Sequence, residues 1–144
     1  MKKKYLLLAA LAVVVAVLIS PREITIVPAW RLRVVNEQGA PLKDVFVRQS
    51  WKHYSYELDA GTNLEDAWTD ENGYVAFPQR TIKVSLIKQA LAPLIVGGML
   101  REHASFGPSA AIMAWGKDEG SIGSSVEYEP GKPLPEQLVL SPQG

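Results

Sequence analysis

From Trp30 onward the chain alternates between apolar and polar positions. Trp30, Leu32 and Val34 take one side and Arg31, Arg33 and Val35 the other, the two-residue period of a half-buried strand. Asn36-Glu37-Gln38-Gly39 then turns the chain. Val45, Val47, Gln49 and Trp51 alternate with Phe46, Arg48 and Ser50 in a second strand, so the pair is expected to form a hairpin or a sheet-to-sheet corner. Tyr54 to Leu58 is expected to continue as a strand after a bend near His53, and Ala60 to Asn63 is a loop by composition. Ala67-Trp68-Thr69 leads into the turn Asp70-Glu71-Asn72-Gly73, from which Tyr74-Val75-Ala76-Phe77 returns. An early Asp satisfies backbone groups locally, and a Gly in the left-handed position reverses direction, so Gly73 is expected to have a positive φ.

The period changes between Ile82 and Leu100. Leu86, Ile87, Leu91, Leu94, Ile95 and Met99 recur at helical intervals with Lys88 and Gln89 on another side, Pro93 is expected to kink the helix, and Gly97-Gly98 weakens its end. Ile87, Leu91, Leu94 and Ile95 are expected to cover an open edge or face of the sheet and to be largely buried. The alternative is a second membrane contact, against which the short length and Lys88 and Gln89 count. Ala110 to Trp115 reads as a buried strand after the loop His103 to Pro108. Gly116 to Lys132 is the most mobile internal stretch by its Gly, Ser and acid content, and a last strand falls near Gln137 to Leu140.

Before all of this, Lys2-Lys3-Lys4 precedes an unbroken apolar run from Tyr5 to Ile19, closed by Ser20-Pro21-Arg22, which has the form of a targeting segment. As a helix the run would extend about 22 Å, between a secretory core and a comfortable span. Cutting after Ser20 would place Leu18 three residues before the bond and Pro21 just after it, and cutting after Ala16 would leave Val17-Leu18-Ile19 exposed. The favoured reading is an uncleaved anchor through residues 5–19 with the bulk of the chain in the periplasm or extracellular space; cleavage would give a secreted protein.

Composition narrows the chemistry. With no cysteine, disulfides, thiolate metal ligands, a cysteine nucleophile and a lipid-bearing cysteine are all excluded. The chain holds 15 basic and 15 acidic residues, and without Lys2 to Lys4 the rest is mildly acidic. No basic stripe is available for nucleic acid. The exported part, about 120 residues, is enough for one core. The expected organisation is a signal anchor or signal peptide over 1–20, a linker over 21–29 in which Ile24-Thr25-Ile26-Val27 reads as an extended edge segment with its ladder limited by Pro28, a β-sandwich over 30–141 with a helical insertion at about 82–100, and a tail over 142–144.

The stretch Gly39-Ala40-Pro41-Leu42-Lys43-Asp44-Val45-Phe46-Val47, followed by Thr69-Asp70-Glu71-Asn72-Gly73-Tyr74-Val75-Ala76-Phe77, resembles the carboxypeptidase regulatory-like family. That family's form is a Gly-x-Pro-hydrophobic turn into a strand, then a Thr-Asp-x-x-Gly turn into another. The resemblance covers Leu32 to Phe77. It implies a mainly β, transthyretin-like or prealbumin-like sandwich of seven strands, of the kind displayed on cell envelopes as accessory or binding modules. After Phe77 the helical insertion departs from the family pattern. Enzymes on the transthyretin scaffold such as hydroxyisourate hydrolase end in Tyr-Arg-Gly-Ser, whereas this chain ends Leu140-Ser141-Pro142-Gln143-Gly144, so that activity is not supported.

Candidate chemistry is sparse. His53 and His103 belong to no local pair of the kind zinc requires, and both read as element-end residues. Asp70-Glu71-Asn72-Gly73 lacks the distal bidentate Glu of a calcium loop. Ser105 is in no Gly-x-Ser-x-Gly elbow. Asp59, Glu65 and Asp66 form the best carboxylate cluster and read as a solvated loop around Gly61. Trp30, Trp51, Trp68 and Trp115 fall in or beside strands and are expected mostly in the core. Two of them exposed on one face with Tyr54 or Tyr56 would make a glycan or peptide platform. The reading is a non-enzymatic, membrane-tethered extracytoplasmic module, without catalytic residues, metal or cofactor, that contacts another envelope protein. A carbohydrate- or peptidoglycan-binding module is the alternative, and an enzyme with a site assembled from His103, Ser105 and distant acids is the third.

Overall fold

A computed structural model describes residues 2–58, 61–99, 105–116 and 123–141. The fold is mainly β and sandwich-like, with three sheets and an amino-terminal helix. Helix α1 (Lys2–Ile19) runs into strands β1 (Pro21–Val27), β2 (Trp30–Asn36), β3 (Phe46–His53), β4 (Asn63–Trp68), β5 (Tyr74–Phe77) and β6 (Arg80–Ser85). Helix α2 (Leu86–Met99) and strands β7 (Pro108–Trp115), β8 (Ser125–Glu127) and β9 (Gln137–Leu140) follow.

The alternation of β2 carries the inner layer. Trp30, Leu32 and Val34 are buried, and β2 is central in the order β5-β2-β9, antiparallel to β5 and parallel to β9. The Trp30 indole N–H is not orphaned by that burial, since it donates to the Pro135 carbonyl at 2.8 Å. Strands β4-β3-β7-β8 form the second layer, so β2 and β3 make a sheet-to-sheet corner rather than a hairpin. Val45, Val47, Ala110, Ile112 and Ala114 meet Leu32, Val34, Val75, Phe77 and Leu138 in one core.

The 70–74 turn forms as its residues dictate. Asp70 Oδ1 accepts from the amides of Asn72 and Tyr74, and Gly73 has φ 77°.

Several expectations need correction. Residues 21–29 are not simply a linker: β1 pairs antiparallel with β6, and Ile26 and Val27 enter the core. Pro28 lies after the strand and so costs the ladder nothing. Tyr54 to Leu58 is not a strand, because the amides of Tyr56 and Glu57 both donate to the His53 carbonyl and curl the backbone into a turn. Glu65 and Asp66 lie in β4, paired with β3, not in a loop. Within the Gly- and Ser-rich stretch, Ser125–Glu127 pairs with β7 as β8.

Helix α2 forms with Pro93 inside it, yet its apolar stripe faces the wrong way for the expected packing. Ile87, Leu91, Leu94 and Ile95 are exposed, Leu94 by 72%, while Ala92 is buried and Leu86 and Gln89 are half-buried. Helical periodicity fixes which residues share a face and leaves open which way that face looks.

None of the residues of α1 is buried. Among the described residues no helix is long and apolar enough to cross a membrane. The expected tail, 142–144, lies outside the described residues.

Candidate functional site

The odd-numbered residues of β3 point into the core, so Phe46, Arg48 and Ser50 point out. Register then decides their neighbours. Phe46 stands opposite Trp68 on β4 and opposite Trp115 on β7, which places three aromatic side chains in one row across the outer face of the sheet. The Phe46 ring centroid lies 5.2 Å from that of Trp68 at an interplanar angle of 62°, and 5.3 Å from that of Trp115 at 47°. These are edge-to-face and tilted contacts, the arrangements aromatic quadrupoles favour.

The row remains open to solvent at one end. Trp68 is 63% exposed, whereas Phe46 and Trp115 are half-buried.

The next row holds Asp66, Arg48 and Met113, and the one after it Leu64, Ser50 and Ala111. Arg48 Nε and Nη2 donate to Asp66 Oδ1 and Oδ2 at 2.6 and 2.8 Å, a two-pronged ion pair. The Arg48 guanidinium holds the Asp66 carboxyl below its ordinary value, chiefly through that hydrogen bond. The same guanidinium lies 5.6 Å from the Phe46 centroid and 5.8 Å from that of Trp115. Leu64 is exposed as well. Beside the aromatic row the face thus carries one ion pair and the exposed Leu64, with Lys52 on β3 and Glu127 on β8 farther along it.

Trp68 is held from behind by Thr69. The buried Thr69 hydroxyl accepts from the Val45 amide at 2.9 Å and donates to the Leu42 carbonyl at 2.6 Å, while the Thr69 amide donates to the Val45 carbonyl. The end of β4 is thereby pinned to the start of β3, and the indole projects from a fixed backbone.

A second polar group lies on the inner side. Arg80 Nε donates to Gln49 Oε1 at 2.8 Å, its Nη1 pairs with Glu65 Oε2 at 2.8 Å, and its guanidinium sits 4.0 Å above the Trp51 ring. Gln49 is fully buried, and its Nε2 and Arg80 Nη2 have no partner among the described residues. Arg31, Arg33, Tyr74, Glu136 and Gln137 line an open concavity of about 400 Å³ on the outer face of the other sheet. There the two guanidinium groups lie 4.1 and 5.3 Å from the Tyr74 ring.

The residues singled out from sequence fall apart in space. Glu65 turns inward to Arg80 and Asp66 outward to Arg48, because neighbours on a strand face opposite ways. Asp59 and His103 lie outside the described residues, and Ser105 is exposed. His53 is buried, stacks on Tyr56 with centroids 4.2 Å apart, and burial lowers its pKa. Among the described residues no three His, Asp or Glu side chains converge as a metal site would require.

Of the tryptophans, Trp30 is core, Trp51 covers Arg80, and Trp68 and Trp115 share the outer face with Phe46 rather than with Tyr54 or Tyr56. Phe46 is the member sequence reasoning missed. Its position out of phase with Val45 and Val47 was the available signal.

No family model, no curated protein and no solved structure matches this chain.

Proposed function

We propose that this chain is a non-enzymatic, membrane-tethered extracytoplasmic module that uses the outer face of β4-β3-β7-β8 to dock another envelope protein. The observation that carries the reading is the Trp68–Phe46–Trp115 row with Arg48 beside it. Tryptophan and arginine are among the side chains most enriched where protein contacts carry their energy, and the exposed Trp68 and Leu64 leave this face apolar to solvent. Charge neutrality within the Arg48–Asp66 pair limits the desolvation that a partner would have to offset, because each charge already has its counter-ion.

The tether is α1. It is apolar on every side beyond Lys4 and presents no buried residue to the domain, the character of a helix surrounded by hydrocarbon. A run of about 22 Å is short of a bilayer core of about 30 Å, and such a shortfall is met by local thinning and by snorkelling of flanking lysines, here Lys2 to Lys4. A transthyretin-like, carboxypeptidase regulatory-like topology is the finer reading of the sandwich-like layers. It is supported by the turn at Gly73 and by the corner between β2 and β3.

The second reading, a glycan or peptidoglycan platform, is favoured by one observation: the Trp68 indole is the most exposed ring in the row. Against it, the 62° and 47° tilts deny successive sugar rings a common plane.

A photo-crosslinking residue placed at Leu64 in the full chain in cells tests the choice. A discrete protein adduct that disappears in Trp68→Ala is the expected result. Trp68-dependent co-sedimentation with peptidoglycan sacculi and no protein adduct would instead establish the glycan reading. Absence of both signals would overturn this face as the binding surface.

A further inference from the structure

The two helices leave the domain at one place. Strand β1 pairs with β6 in a two-stranded ribbon with Pro21 opposite Ser85, so the end of α1 and the start of α2 lie side by side, and the helices are in contact. Each junction is locally fixed. The Ser20 hydroxyl donates to the Ala16 carbonyl at 2.7 Å where α1 ends, and the Lys88 amide donates to Ser85 Oγ at 3.3 Å where α2 begins.

Helix α2 is inverted relative to a helix that packs on a core. On one side of the helix Leu86 and Gln89 are half-buried and Ala92 is buried, Gln89 Nε2 donating to the Val84 carbonyl at 3.2 Å. It turns Ile87, Leu91, Leu94 and Ile95 outward in one stripe spaced at helical intervals. The helix carries no acid, and its single charge, Lys88, donates back to the Tyr56 carbonyl at 2.9 Å. Water is thus offered four branched aliphatic side chains.

We infer that α2 is a second membrane contact, an interfacial helix whose Ile87–Leu91–Leu94–Ile95 stripe is immersed in the extracytoplasmic leaflet beside α1. The inference rests on α1 being the anchor. A bilayer that takes α1 up to Ile19 meets the ribbon end at Pro21 and Ser85, where α2 begins in contact with α1. Continuity with α1 selects lipid over a second copy or another protein. An amphipathic helix in this position lies in the interface plane with its apolar face sunk about 5–10 Å below the headgroups. Two contacts from one ribbon end would fix the orientation of the sandwich above the membrane, which a single helix cannot do.

The absence of native cysteine makes the test direct. Leu94→Cys, Leu11→Cys and Glu37→Cys full-length chains, each labelled with an environment-sensitive fluorophore, are reconstituted into phosphatidylethanolamine–phosphatidylglycerol vesicles. Circular dichroism verifies that each is folded.

The expected result is blue-shifted emission at positions 94 and 11, quenched by lipid-borne spin labels and protected from iodide, with the reverse at position 37. Iodide quenching at 94 with lipid quenching at 11 would leave the anchor and overturn the interfacial helix. Protection at 94 from both quenchers, with position 11 in lipid, would mean that a protein covers the stripe and would also overturn it. Iodide quenching at both positions would remove the anchor and the inference together.

Discussion

Gly73 and Val34 touch through their backbones. The Val34 amide donates to the Gly73 carbonyl at 2.8 Å, and a Cβ added at Gly73 would stand 2.6 Å from the Val34 carbonyl oxygen. The glycine is required twice over, once by its φ of 77° and once by that approach. Gly39 has a similar φ of 80° but open space where a Cβ would go.

Gly73→Ala is therefore expected to destabilise the protein more than Gly39→Ala. The left-handed strain alone is about 1–2 kcal/mol at either site, and only Gly73 adds a clash with backbone, which cannot swing aside. Urea denaturation of the two variants measures the difference. Equal midpoints would contradict the close approach.

Thr69→Val removes one hydroxyl from two partners, one buried and one part-buried. The Val45 amide loses its acceptor and the Leu42 carbonyl its donor. The expected loss is about 1–3 kcal/mol for leaving buried polar groups unpaired, with Thr69→Ser restoring most of it. A Thr69→Ser midpoint as low as that of Thr69→Val would show that the methyl, not the hydroxyl, does the holding.

His53 gives the fold a pH dependence. Burial pushes its pKa down, outweighing the opposing pull of Glu57. In the unfolded chain it returns to the ordinary value of about 6.5. Between the depressed folded value and 6.5 the unfolded chain binds more protons, so stability rises with pH across that interval. The contribution is complete above about pH 6.5 and is lost as pH falls. His53→Phe keeps a ring against Tyr56 and removes the titration. Its denaturation midpoint should fall less than that of the parent between pH 7.5 and pH 5.5, and parallel falls would contradict the assignment.

Local patterns carried most of what could be read before the fold was known. The alternation of Trp30, Leu32 and Val34 names the buried face of β2, and Asp70 with Gly73 names the turn, because both are decided within a few residues of chain. Strand β1 was less legible. Ile24 to Val27 read as an extended segment within a link, but its partner β6 lies far along the sequence, so the pairing was beyond local reading. The outward stripe of α2 was legible as a stripe but not in its direction, which depends on where β6 delivers the helix. The aromatic row was beyond local reading, since Phe46, Trp68 and Trp115 become neighbours only through the registers of three strands.

On the proposed function the Trp68–Phe46–Trp115 face is occupied in the native envelope. A cysteine at Leu64, exposed on that face, reports occupancy without altering the row. Maleimide labelling of Leu64→Cys is compared in intact native membranes and in the purified detergent-solubilised chain, with Glu37→Cys as the freely accessible reference. Protection of position 64 in membranes that is relieved by purification, and in membranes by Trp68→Ala, is the predicted result. Labelling of position 64 as fast as that of position 37 in both preparations would contradict the claim.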